Sequence, residues 1–184
     1  MSKIRVTFTL GESDAKYFRA IYREAKKATR NLDPDVILER ARGVVGRARA
    51  NKKTPEFAIA AVEVLADLIE LIQDEEYAAP RRVKSAILAG LGYFTSSQDL
   101  IPDQIPGLGF LDDAIMVKFI ESEFRNELWG YRRFRKLRDL AGRWPWSSFD
   151  RRKRLQAERR RVRAKIAERE AKRAQSRSGV YFGR

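Results

Sequence analysis

The sequence contains no cysteine and no histidine. Disulfides, thiolate zinc sites, imidazole ligands and every catalytic scheme built on Cys or His are therefore excluded. A thiol-free chain also fits a reducing compartment. Long apolar runs are missing as well. The longest stretch, Ala86 to Phe94, is about half of the ~20 residues that a bilayer span needs. The opening "MSKIRVTFTL" alternates and lacks the continuous apolar core of a secretory signal. A soluble, cytoplasmic protein is expected.

Acidic residues are scarce, and the deficit is local. The chain has 39 Lys/Arg against 25 Asp/Glu, a net charge of +14. Residues 151–184 hold 14 Lys/Arg and three Glu, a net of +11, which leaves +3 for the first 150 residues. A nearly neutral body followed by a cationic extension points to an anionic partner, either nucleic acid or a membrane surface.

Hydrophobic periodicity outlines the body. Ile4, Val6, Phe8 and Leu10 alternate with polar residues, the period of a half-buried strand over 4–10. After Gly11, with Ser13 or Asp14 as N-cap, Phe18, Ile21, Tyr22 and Ala25 form a helical face that Asn31 ends. Asp33-Pro34 and Thr54-Pro55 each read as N-cap followed by first helical residue. The helix after Pro34 carries Val36, Ile37, Val44 and Val45. The one after Pro55 carries a wide apolar face through Ala58, Val62, Leu65, Ile69 and Ile72. Val83 to Phe94 is apolar nearly all round, as a buried helix is. A long helix is expected from Gly109 to about Leu140, with Val117, Ile120, Phe124, Leu128 and Tyr131 on one stripe.

The segment "SSQDLIPDQIPGLGFLDDAIM" between those last two helices combines two prolines and four aspartates with Leu and Ile. The prolines exclude a regular helix, so a tight connector within a core hairpin over 83–140 is expected. Asp99 and Asp103 precede prolines and suit turn capping. Asp112 and Asp113 fall in the first turn of the next helix and continue apolar stripes, so both carboxylates should face protein. The free N–H groups and positive dipole end of a helix tolerate acids there. These four acids read first as structural caps and cation partners. The sharper alternative is that they converge on Mg²⁺ or Ca²⁺, which take oxygen ligands, and support a metal-dependent activity. No cofactor is otherwise implied.

The same stretch, "GYFTSSQDLIPDQIPGLGFLDDAIMV", resembles the signature of the YkvA-like family of bacterial proteins, a domain of unknown function. Its pattern is carried here by Asp99, Leu100, Ile101, Pro102, Asp103, Ile105, Pro106, Gly107, Gly109, Leu111, Asp112 and Asp113. The resemblance is strong over Val83 to Ile120 and looser over "EFRNELWGYRRFRKLR". It implies a compact helical module and no established activity.

The extension "RRKRLQAERRRVRAKIAEREAKRAQSRS" has a basic residue at nearly every helical turn. Like charges four apart repel, so phosphates would stabilise such a helix. Its stripe of Leu155, Val162 and Ile166 is too thin to pack a domain by itself. Arg outnumbers Lys, which favours bidentate phosphate contact. Arg151, Arg152, Lys153, Arg154, Arg159, Arg160, Arg161, Arg163 and Lys165 are the candidate nucleic-acid-binding residues.

Together these features predict a mostly α fold. A compact helical domain over 1–149 carries one short N-terminal strand, and a long basic helical arm with its tail follows over 150–184. The expected function is non-enzymatic, that of an adaptor whose arm engages RNA or a ribosome through residues 151–175. Two other readings stand beside it. Trp144, Trp146 and Phe149 next to the arm suit peripheral attachment to an anionic membrane surface, and the acidic hairpin suits a metal. A strand that opens a helical domain needs a partner for its edges. Strand 4–10 would thus give a homodimer, or a paired ribbon reading DNA through Lys3, Arg5, Thr7 and Thr9.

Overall fold

The computed structural model describes Thr9 and residues 11–95, 110–141 and 148–178. Among the described residues six α-helices follow one another: α1 (Glu12–Ala28), α2 (Pro34–Ala50), α3 (Glu56–Gln73), α4 (Arg81–Leu91), α5 (Leu111–Ala141) and α6 (Ser148–Ser178). Short 3₁₀ turns at Thr29–Asn31 and Gly92–Thr95 end α1 and α4. Gly11 is the N-cap of α1, ahead of the expected Ser13 or Asp14. The Asp14 carboxylate instead reaches back and accepts the Gly11 N–H at 2.9 Å. At α2 the expected chemistry is present. The Asp33 carboxylate accepts the Asp35 N–H at 2.9 Å, and Pro34 occupies the first helical position.

The N-terminal strand is a correction. Every element among the described residues is helical. Thr9, the described member of the expected strand 4–10, is exposed and lies in no strand, while residues 4–8 and 10 lie outside the described residues. Among the described residues the fold class is therefore helical, with no strand. The physical reason is that the described elements offer no strand edge to pair with. A strand needs neighbouring backbone groups to pair with, and helices have already paired theirs internally.

The chain divides into two compact units, one of residues 1–62 and 88–120, the other of residues 63–87 and 121–184. In the first unit α1 and α2 both pack on the Gly92–Thr95 turn. Its core holds Tyr22, Ile37, Leu38, Ala41, Val44, Leu91, Phe94, Met116 and Ile120. Val36, expected on the apolar face of α2, is exposed. Phe18 stacks on Phe119 with ring centres 6.5 Å apart.

Gly90 and Gly92 mark the close approaches in this unit. A Cβ at Gly90 would lie 2.7 Å from the Tyr22 hydroxyl, and one at Gly92 only 1.7 Å from Thr29 Oγ1. Thr29 is buried and donates its hydroxyl to the Ala25 carbonyl, so it is not free to turn away.

In the second unit the buried residues include Leu65, Leu68, Leu71, Tyr77, Ile87, Leu128, Tyr131 and Phe134. Tyr77 is the hub, with its ring 5.2 Å from that of Tyr131 and 5.4 Å from that of Phe134. Phe124 interrupts α5 with φ −102° and ψ 17°, the bridge region of backbone space. Among the described residues no helix is long and apolar enough to cross a membrane.

Candidate nucleic-acid interface

An isolated helix of this composition would be marginal, because its like charges repel and little apolar surface is available to bury. The thin stripe is buried nevertheless. Leu155, Val162 and Ile166 are 6%, 1% and 3% exposed. The seat is Gly130 on α5, where a Cβ would stand 2.6 Å from Ile166 Cδ1, 2.9 Å from Val162 Cγ1 and 3.1 Å from the Tyr77 hydroxyl. Mid-helix glycine costs about 1 kcal/mol relative to alanine. Here its bare backbone is what admits the two branched side chains of α6.

Ion pairs then sort the cations of α6. Arg163 Nη1 lies 2.6 Å from Glu127 Oε2, and its guanidinium sits 4.5 Å from the centre of the Tyr77 ring. The Tyr77 hydroxyl donates to the same Glu127 oxygen at 3.3 Å. Arg151 pairs with Glu76 at 3.1 Å. Further along, Arg169 Nε donates to Asn126 Oδ1 at 3.1 Å and stacks on Trp129 at 4.6 Å. Charge flows the other way at Glu158 of α6, which accepts Arg133 at 3.5 Å.

Of the nine cations read from the sequence, Arg151 and Arg163 are thus turned inward and engaged with acids. Arg159 is half-buried, and Arg152, Lys153, Arg154, Arg160, Arg161 and Lys165 are exposed. Among the described residues Arg161 pairs only with Glu158 of its own helix, at 3.8 Å. At 100° per residue, Lys153 and Arg160 project opposite the buried Val162. The exposed side of α6 therefore keeps Lys153 and Arg160, which no ion pair engages among the described residues.

The acids fare differently. Asp112 and Asp113 are 2% and 6% exposed, and the Tyr93 hydroxyl donates to Asp112 Oδ2 at 3.3 Å. Asp99 and Asp103 lie outside the described residues, as do Trp144 and Trp146. No group of three or more acids able to hold a metal ion exists among the described residues.

Two features were not anticipated from the sequence. The first is a ladder between α3 and α5. Arg132 Nε meets Asp67 at 2.6 Å, Arg135 meets Asp67 and Glu70 at 2.7 Å each, and Arg138 pairs with Asp74. Acids at 67, 70 and 74 facing cations at 132, 135 and 138 share a helical spacing that the sequence does contain. At Arg138, burial disfavours the charge, yet the hydrogen bond and field of Asp74 outweigh it and raise the pKa. The second is a groove on α5, lined by Leu128, Trp129 and four cations.

The buried phenols give this unit a pH signature. Burial holds the Tyr77 hydroxyl above the ordinary phenol value. Arg163 opposes that shift and Glu127 adds to it. Burial raises Tyr131 likewise, reinforced by Asp74 and Glu70. An unfolded chain releases these protons near pH ~10, whereas the folded one retains them. Their contribution to stability is therefore complete below about pH 10 and lost as pH rises above it. Thermal melts should show the melting temperature falling above about pH 10, less steeply in Tyr77→Phe. Equal slopes in the two proteins would contradict this.

The fold and charge distribution define a helical protein whose cationic last helix is anchored by one face and exposed by the other. A model of the family "Protein of unknown function (DUF1232)" matches residues 83–119, a segment that includes Gly92, Asp112 and Asp113 and stops short of α6. No curated protein and no solved structure matches the chain.

Proposed function

We propose that this protein binds nucleic acid, with RNA as the preferred form, through the exposed cations of α6, and acts as an adaptor without catalysing a reaction. The observation that carries this reading is the division of charge on α6. Arg151 and Arg163 are consumed by Glu76 and Glu127, while Arg152, Lys153, Arg160 and Lys165 remain exposed, Lys153 and Arg160 opposite the buried stripe. Cations held on a rigid helix meet a phosphate backbone with less ordering cost than cations on a loose arm. A cytoplasmic setting suits such a partner. The body is read as a YkvA-like module. What supports that finer assignment is the residue pattern through Asp112 and Asp113, together with the family match over 83–119.

Fluorescence anisotropy with a labelled RNA at low salt tests the reading. Charge reversal at Arg152, Lys153 and Arg160 should weaken binding by at least about tenfold, since each lost phosphate contact also introduces repulsion. Unchanged affinity in a folded triple variant would sink it.

A further inference from the structure

The groove on α5 lies outside α6 and outside the segment matched by the family model. Its volume is about 400 Å³. Leu128, 2% exposed, forms its floor. Trp129, half-buried, lines it together with Arg125, Arg132, Arg133 and Lys136, with Glu121 as the lone acid of the lining. From Arg125 to Lys136 the helix rises about 16 Å.

Two of the four cations are held in place. Arg132 is fixed by Asp67 at 2.6 Å and Arg133 by Glu158 at 3.5 Å. The other two, Arg125 and Lys136, are exposed, and no ion pair engages either among the described residues. Arg169 stacks on the Trp129 ring at 4.6 Å, which holds the indole in one orientation.

We propose that this groove is a binding site for single-stranded nucleic acid, with a base packed against Trp129 and flanking phosphates on Arg125 and Lys136. An aromatic set in a cationic groove is the chemistry that such a ligand meets: bases stack on π-faces, and the charged track follows the backbone. A duplex keeps its bases stacked inside and offers none to the indole. A lipid surface would need exposed apolar side chains to insert, whereas the apolar part of this groove is its buried floor and its rim is charged. The site does not depend on the exposed face of α6 and adds base contact to what that face reads as charge alone.

The test uses the full chain carrying Trp144→Phe and Trp146→Phe, so that Trp129 is the sole indole. Oligo(dT) should quench its fluorescence saturably, while a duplex of equal length and phosphatidylserine vesicles should not. R125E/K136E should weaken the quenching by at least about tenfold with circular dichroism unchanged. If that variant does not fold, R125Q/K136Q removes the same charges without reversing them and should weaken it too. Variants of α6 at Arg152, Lys153 and Arg160 should still be quenched at saturating oligo(dT), which separates this site from the helix face. The proposal is overturned if oligo(dT) leaves Trp129 emission unchanged, if the folded charge variant is quenched as the parent is, or if vesicles alone change the emission.

Discussion

Replacing Arg163 with alanine should lower the stability of the protein by about 3 kcal/mol, the lower end of the range for breaking a buried ion pair. The lower end applies because the Arg163 side chain keeps 23% of its exposure, whereas that of Glu127 keeps 8%. Alanine would leave the Glu127 carboxylate buried with, among the described residues, only the Tyr77 hydroxyl to satisfy it. For a chain of this size the melting temperature should drop by roughly 10 °C.

The pair is not an ideal one. Arg163 Nη2 is buried without a hydrogen-bond partner among the described residues, and the Tyr77 ring beneath the guanidinium offsets that only in part. Replacing both partners with methionine should therefore recover most of the loss, since apolar substitutes often equal or exceed a buried pair. A single Arg163→Ala protein that melts like the parent would show that α6 is not held by this contact.

Gly92→Ala should destabilise the other unit by an amount at or above the upper end of the ~1–3 kcal/mol typical of overpacking. Ordinarily this exchange favours folding, by about 0.4–1 kcal/mol, because alanine restricts the unfolded chain. The added methyl would here stand 1.7 Å from Thr29 Oγ1 and 2.8 Å from both Thr29 Cβ and Cγ2. Thr29→Ala removes the hydroxyl and the γ-methyl but leaves the Cβ contact, so Thr29→Gly should rescue Gly92→Ala better than Thr29→Ala does. Urea unfolding of the four proteins reads the effect. A stabilised Gly92→Ala protein would mean that α1 and the Gly92–Thr95 turn are not in this close contact.

The elements that were legible in the sequence are those with a local cause. Asp33-Pro34 starts α2 because cap and ring geometry act within three residues. The wide stripe of α3 is buried at Ala58, Val62, Leu65, Ile69 and Ile72 because its period matches the helix.

The strand over 4–10 shows how far alternation alone can be taken. A period of two marks a strand only where another backbone can pair with it, and the described fold offers helices. The docking of α6 was hidden for a different reason. Its stripe is thin because much of the anchoring comes from ion pairs between residues 36 and 75 apart in the chain, Arg163 with Glu127 and Arg151 with Glu76. Long-range pairs of that kind leave no periodic trace. The glycine that seats α6 is visible as an irregular Gly130 inside a helical pattern, but nothing local says which side chains it admits. The α5 groove could have been found from spacing, since Arg125, Trp129, Arg132, Arg133 and Lys136 recur at three- and four-residue steps.

If α6 divides its cations, some anchoring the helix and others left for phosphate, the salt dependence of RNA binding carries that division. Neutralising Arg152, Lys153 and Arg160 to alanine should make the slope of log affinity against log salt shallower by about 2–3, because each phosphate contact contributes about 0.7–0.9. A folded triple variant whose slope equals that of the parent would contradict the claim.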